Sequence, residues 1–369
     1  MMNRPALTAL AATLPATVPF VGPEAQERQR GRPFRARIGA NESGFGPSPA
    51  VKAAIAEAAG DVWKYADPEN HDLKAALAAH LGVAPENITV GEGIDGLLGL
   101  VVRLFVELGQ PVVTSLGAYP TFNYHVAGFG GRLVSVPYVD DREALDGLAD
   151  AARRENAPLV YLSNPDNPMG TWWEAAEISR LIEALPETTL LVLDEAYGET
   201  APASAIPPLD VARPNVVRMR TFSKAYGLAG LRCGYAIGEA ETIRAFDKVR
   251  NHFGVNRLAQ TAALAALRDQ DYLNSVIDSV AACRNRIAAI AEANGLKPLP
   301  SATNFVTFDC GGDSAFALKV MQALIARDVF VRKPMAPVLD RCVRVSAGPE
   351  AEIDLFEQML PEALAASRG

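Results

Sequence analysis

The 369-residue chain predicts an α/β protein, with a large domain built on a mainly parallel sheet followed by a smaller α+β domain. Three patterns carry that prediction. Strand-like apolar runs alternate with helical patterns between residues 88 and 237. Two of these runs, "PLVYLS" (158–163) and "TLLVLD" (189–194), are nearly continuous in apolar residues, as strands covered on both faces are. From about residue 240 the alternation gives way to long Ala-rich helices and a few short strands.

Taken in order, residues 1–35 read as an N-terminal arm. Its start, "MMNRPALTALAATLPATVPF", is Ala-rich, but Pro5, Pro15 and Pro19 break it and Arg4 is its one basic residue. A mobile arm is expected there, not an export signal. The large domain is expected over 36–245 and opens with the Gly- and Pro-rich loop "FRARIGANESGFGPSPAV". Its helices are predicted at 49–59, 69–81, 94–108, 142–156 and 172–185. Its strands are predicted at 88–90, 111–115, 133–136, 158–163, 189–194, 215–219 and 234–237. Helices follow at 240–252 and 257–293, and the small domain is expected over 246–369. Its strands fall near 304–309, 329–332 and 342–346, and a helix closes the chain at 349–366.

Composition narrows the function. Hydrophobic residues make up 49% of the chain, enough for a substantial core. A net charge of -8 and a pI near 5.2 argue against a nucleic-acid or membrane-surface binder, both of which need a basic face. No apolar run is long enough to span a membrane. Cys233, Cys283, Cys310 and Cys342 form no Cys-x-x-Cys pair, and the four histidines are scattered. Reduced thiols in a cytoplasmic protein are expected, with neither a disulfide scaffold nor a metal site.

The stretch "GEGIDG" (91–96) matches Gly-x-Gly-x-x-Gly between a strand and a helix. A nicotinamide fold would need an acidic residue at the end of the next strand to hold the ribose. The next strand, "PVVTS", is followed by "LGAYP" and carries none, so a dehydrogenase is excluded. The loop remains either a tight structural turn or a cradle for another anion at a helix start.

Three later segments end successive predicted strands, where ligands bind in open α/β sheets: "SNPDNPMGT" (163–171), "DEAYGE" (194–199) and "TFSKAYGLAGLRCGY" (221–235). Asp194 ends an apolar strand, where a carboxylate is costly unless a cation meets it. Read singly, it could instead be a helix N-cap, with Tyr197 merely packed. Lys224 sits in a Gly-rich turn, and a lysine held in a dry pocket near other cations becomes a nucleophile towards aldehydes. Ser223 and Arg232 supply a hydroxyl and a guanidinium fork for a phosphate. An aldehyde-binding lysine, an anion cradle and a carboxylate for a ring nitrogen together match pyridoxal 5'-phosphate. "GEGIDG" then belongs to the phosphate cradle, through the amides near Ile94 and Asp95.

With these motifs in this order, the chain resembles the fold-type I pyridoxal-phosphate aminotransferases of class I and II, and within them the histidinol-phosphate aminotransferases. The resemblance runs from "VPFVGPE" (18–24) to "CVRVSAGPE" (342–350). It implies a three-layer, aspartate aminotransferase-like large domain. It implies that Lys224 bonds to the cofactor aldehyde and later moves a proton between the substrate Cα and the cofactor. Asp194 would keep the ring nitrogen protonated. Asn167 and Tyr197 would bond the ring oxygen, and Phe122, in "AYPTFNYH", would stack on the ring. Thr221, Ser223, Arg232 and the Ile94–Asp95 amides would hold the phosphate. Tyr65 would reach that phosphate from the neighbouring subunit of a homodimer. Arg344 would grip the substrate carboxylate, Asn41 would lie at the active site, and Arg332 with Lys333 would form a second basic cluster. Phe122 as core and Arg344 as a surface strand arginine are the bland alternatives.

The chain also departs from the family pattern at Ser43-Gly44-Phe45-Gly46, Tyr65-Ala66-Asp67, Met169 and Arg257, which bears on the substrate side-chain pocket. The leading function is transfer of an amino group between histidinol phosphate or an L-amino acid and a 2-oxo acid such as 2-oxoglutarate. The alternative is a lyase or decarboxylase on the same scaffold, resembling threonine-phosphate decarboxylase. A non-catalytic sensor lacks room for a DNA-binding module in the first 40 residues.

Overall fold

The computed structural model describes residues 4–16 and 22–368; part of the expected arm (1–3, 17–21), and with it 18–21 of "VPFVGPE", lies outside the described residues. The strands in chain order are β1 (Ala36–Arg37), β2 (Ile88–Gly91), β3 (Pro111–Ser115), β4 (Arg132–Val136), β5 (Leu159–Ser163), β6 (Leu190–Asp194), β7 (Val216–Thr221), β8 (Gly234–Ile237), β9 (Lys297–Pro298), β10 (Phe305–Asp309), β11 (Val329–Phe330) and β12 (Cys342–Ser346).

Seven of them form one sheet in the order β2-β8-β7-β6-β5-β3-β4. The pairs from β4 through to β7 are parallel, and β8 runs antiparallel to both β7 and β2. The apolar runs explain the layering. Leu159, Tyr161, Leu190 and Val192 pack on one face against helices Gly93–Phe105 and Pro120–Gly128. Val160, Leu162, Leu191 and Leu193 pack on the other against Leu145–Glu155 and Ala175–Ala184. Alternate side chains of each strand thus feed two cores, which is why neither face shows polar alternation.

A second, antiparallel sheet, β12-β10-β9, packs with helices Gln270–Ala293, Ser314–Ala326 and Glu350–Arg368 around Ile287, Phe308, Val343 and Phe356. β1 pairs in parallel with β11, so Ala36 and Ile38 join this C-terminal core. Helix Arg257–Arg268 packs with Pro49–Ala58 and His71–Leu81 over β2 and β8. The single helix expected over 257–293 is two, because Asp269 leaves helical geometry and its side chain caps the second at the Tyr272 amide. Helix Ser314–Ala326, absent from the expected elements, has both a start signal in Asp313 and a buried face at Ala317, Val320 and Leu324. Helix Pro23–Arg30 is tied down through Arg30 to Asp328 and Glu27 to the Phe34 amide. Among the described residues no helix is long and apolar enough to cross a membrane.

Candidate active site

The C-terminal ends of β5, β6 and β7 open into a cavity of about 230 Å³ lined by Tyr161, Asn167, Asp194, Tyr197, Ser223 and Lys224, among others. Register brings them together: Ser163 stands beside Asp194, and Asp194 beside Met219. Asp194 is buried, and its carboxylate accepts from the Tyr161 hydroxyl at 2.7 Å and the Ala196 amide at 2.9 Å. Burial pushes its pKa up to about 6 against the pull of those bonds and of Lys224. A buried carboxylate with two neutral donors and no bonded cation fits a protonated ring nitrogen.

The Lys224 ammonium donates to the Asn41 carbonyl at 3.2 Å. Burial, then the Arg344 and Arg232 guanidiniums, lower its pKa to about 8. Such a lysine releases its proton far more easily than a solvated one. Asn41 is a hub: its backbone is left-handed (φ 57°), its side chain donates to the Tyr197 hydroxyl at 3.0 Å, and its carbonyl also accepts from Asn304 at 3.0 Å. Burial raises the Tyr197 phenol well above its ordinary range, so it stays protonated.

Thr221, Ser223 and Arg232 cluster at one end. The Thr221 hydroxyl donates to Ser223 at 2.9 Å, and Arg232 reaches the Ser223 hydroxyl at 3.4 Å. Opposite them lies the start of helix Gly93–Phe105, whose first-turn amides, Ile94 and Asp95 among them, have no side-chain cap. Gly93 has φ 73°, and a Cβ there would stand 2.7 Å from Arg232 Nη2. One beneath it on Gly234 would stand 3.0 Å from the Ile94 nitrogen. Both glycines therefore permit a guanidinium and a bare helix start to converge, which suits a dianionic phosphate.

Arg344, on β12, is half-buried and has no carboxylate in an ion pair with it among the described residues. It donates to Asn167 Oδ1 at 2.5 Å and to the Gly39 carbonyl at 3.4 Å, while its buried Nε has no partner. Burial lowers its pKa to about 10. An isolated bridge sets Arg332 beside it.

Two expected residues stand elsewhere. Phe122 does not line the cavity: it is fully buried, stacked on Tyr161 with centroids 4.5 Å apart. The helix starts at Pro120, so Phe122 and Val126 share its core face, and the aromatic left at the cavity is Tyr119. Tyr65 is 78% exposed, packs at a tilt on Phe253 and does not line the cavity that holds Lys224. Among the departures, Met169 is buried with Leu299, Leu339 and Cys342, and Arg257 bonds the Tyr65 carbonyl; neither lines the cavity. Tyr161, Tyr119, Glu42 and Asn304 went unnoticed in the sequence. Tyr161 had a signal, a hydroxyl within an otherwise apolar strand one step before Ser163 on the same face.

Residues 37–358 match the family model for aminotransferases of class I and II. The chain is 36% identical over 345 residues to a histidinol-phosphate aminotransferase of Mesorhizobium japonicum, covering 91% of this chain and 92% of that protein. It is 62% identical to the histidinol-phosphate aminotransferase of Sinorhizobium meliloti, solved in complex with pyridoxal-5'-phosphate, with a TM-score of 0.95 and 97% of each chain covered. The aspartate aminotransferase of Thermus thermophilus shares the fold at 22% identity, with a TM-score of 0.81, 98% of this chain and 100% of that one covered. The chain therefore belongs to the class I and II aminotransferase family and is a pyridoxal-phosphate-dependent aminotransferase.

Proposed function

We propose that this aminotransferase moves an amino group between histidinol phosphate and a 2-oxo acid such as 2-oxoglutarate, as a cytoplasmic homodimer with shared active sites. The carrying observation is Arg344, a half-buried guanidinium beside Arg332 whose buried Nε is unpartnered and which forms no ion pair with a carboxylate among the described residues. It suits a bidentate anion, the phosphate of one substrate or the carboxylate of the other. The names of the relatives at 36% and 62% identity support the same substrate. We take residues 36–245 as the unit carrying the cofactor residues and 246–369 as the one carrying Arg332 and Arg344.

When bound, pyridoxal phosphate supplies an electron sink for the carbanion formed at the substrate Cα. Asp194 holds a proton on the ring nitrogen, which its buried carboxylate favours. Thr221, Ser223, Arg232 and the Ile94 and Asp95 amides would hold the phosphate, and Tyr119, which lines the cavity, would meet the ring. Asn167 and Tyr197 hydrogen-bond the ring oxygen, and Asn41 orients Tyr197. Lys224, with its lowered pKa, would accept the proton from the substrate Cα and hold it at its amine. Arg344, with Arg332, fixes the substrate anion so that Cα faces Lys224. Tyr65, exposed on this protomer, reaches the phosphate of the second subunit's site.

A single-turnover donor screen tests this. Cofactor-loaded protein is mixed separately with L-histidinol phosphate, L-glutamate, L-phenylalanine and L-alanine, and the visible absorbance is followed, with Lys224→Ala as control. Fast loss of the visible band with histidinol phosphate and slow loss with phenylalanine and alanine is expected. Fast loss with an aromatic or aliphatic donor alone would discard histidinol phosphate as the substrate.

A further inference from the structure

Glu42 lines the mouth of the cavity beside Asn41. Its backbone is held: the Asn41 amide donates to Ser346 Oγ at 3.1 Å, and Asn304 donates to the Asn41 and Glu42 carbonyls at 3.0 and 3.4 Å. Its side chain is exposed. The other charged groups lining the cavity all have a partner. Asp194 accepts from Tyr161 and the Ala196 amide. Asp95 lies 3.2 Å from His125. Lys224 donates to the Asn41 carbonyl, and Arg232 to Ser223 and the Ala229 carbonyl. Among the described residues, the Glu42 carboxylate is the one charged group of the cavity wall with no hydrogen bond or ion pair. None of the cofactor's groups calls for it: the ring nitrogen has Asp194, and a phosphate would be repelled by a second carboxylate.

We infer that Glu42 is a specificity-determining residue, which accepts a hydrogen bond from a nitrogen donor on the substrate side chain and disfavours an acidic side chain. This rests on the reading of the site given above. With the anion of the substrate on Arg344 and its amine at Lys224, the third arm of the molecule is left to meet the cavity mouth. For histidinol phosphate that arm is an imidazole, a neutral donor or, below a pH of about 6.5, a cation. A carboxylate accepts from either form and gains from the charged one. A dicarboxylate such as L-glutamate brings its second negative charge to the same region. Glu42 is near enough to Lys224 to favour that lysine's protonated form, which also places it within Coulomb reach of a bound substrate.

The test is Glu42→Gln, which keeps the shape and removes the charge. Half-saturation is measured from the visible band of the cofactor-loaded enzyme with histidinol phosphate, L-histidine, L-phenylalanine and L-glutamate, together with the melting temperature. The preference for the two imidazole donors over L-glutamate is expected to fall about tenfold, with L-phenylalanine little changed. In the wild type, half-saturation by histidinol phosphate should weaken as pH rises through about 6.5, and the variant should lose that dependence. If wild type prefers histidinol phosphate and the variant keeps the same preference and pH profile, the inference falls while the proposed substrate stands. An equal loss for all four donors, with a lower melting temperature, assigns Glu42 to the fold and also overturns it. If wild type answers L-glutamate but neither imidazole donor, both the proposed substrate and the role of Glu42 are lost.

Discussion

Asp194 is buried and Lys224 half-buried, and desolvation moves each towards its neutral form. For Lys224 that means a pKa near 8. Apoenzyme mixed with pyridoxal phosphate should therefore develop its visible band at a rate that climbs with pH and levels off above about 8. A solvated lysine would keep climbing towards about 10.4, and stopped-flow absorbance distinguishes the two. For Asp194 the folded pKa, about 6, lies above its unfolded value. The folded state therefore binds the proton more readily, and stability falls as pH rises from about 4 through 6. Above that window the charge costs the apoenzyme about 3 kcal/mol at most. Asp194→Asn should melt no lower than wild type as apoenzyme at pH near 7.5, lose that advantage near pH 4, and bind the cofactor far more weakly. Calorimetry on the two apoenzymes checks it, and a clear destabilisation at pH near 7.5 would refute the assignment.

The helix Gly93–Phe105 does for the phosphate what the two side chains do for the ring. Its bare first turn works only because Gly93 adopts φ 73° beneath Arg232. Gly93→Ala adds backbone strain and pushes a methyl group to 2.7 Å from Arg232 Nη2. We expect cofactor affinity to drop by about tenfold or more at unchanged far-UV circular dichroism, measured by titrating apoenzyme with pyridoxal phosphate. The same logic of element ends explains why Phe122 packs in the core while Tyr119 lines the cavity. A residue in the first turn faces the core or the site according to where the helix begins, and Pro120 sets that start.

Arg344, on β12 of the three-stranded sheet, meets Asn167, which follows β5 of the seven-stranded sheet. Nearby, Arg341 bridges Asp309 at 2.7 Å and the Asp141 carboxylate at 2.8 and 2.9 Å, tying β12 to the loop after β4. In the proposed site, the substrate end thus depends on how the three-stranded sheet packs against the seven-stranded one. The phosphate end depends, in the proposed dimer, on Tyr65 of the second subunit. Mixing Lys224→Ala with Tyr65→Ala chains, refolded together, should restore about a quarter of wild-type activity, because a mixed dimer has one intact site. No recovery, with mixed dimers present by native mass spectrometry, would place Tyr65 outside the neighbouring site.

Much of this was legible in the residue order. The strands at 88, 111, 159, 190, 216 and 234 announce themselves through apolar runs, because each is covered on both faces, while the edge strand at 132 is half-exposed. Lys224, Asp194, Asn167 and Arg232 stand out because strand ends followed by Gly-rich turns expose chemistry that a core would not tolerate. These are local consequences of burial and backbone geometry, carried within ten or so residues. Which aromatic faces the cavity, which carboxylate lacks a partner, and that Ala36 and Ile38 complete a core built some 300 residues later were not legible. Tyr119 and Phe122 have the same composition signal, and Glu42 looks like any loop glutamate. Their roles follow from distances between segments far apart in the chain, which folding sets and no local pattern records.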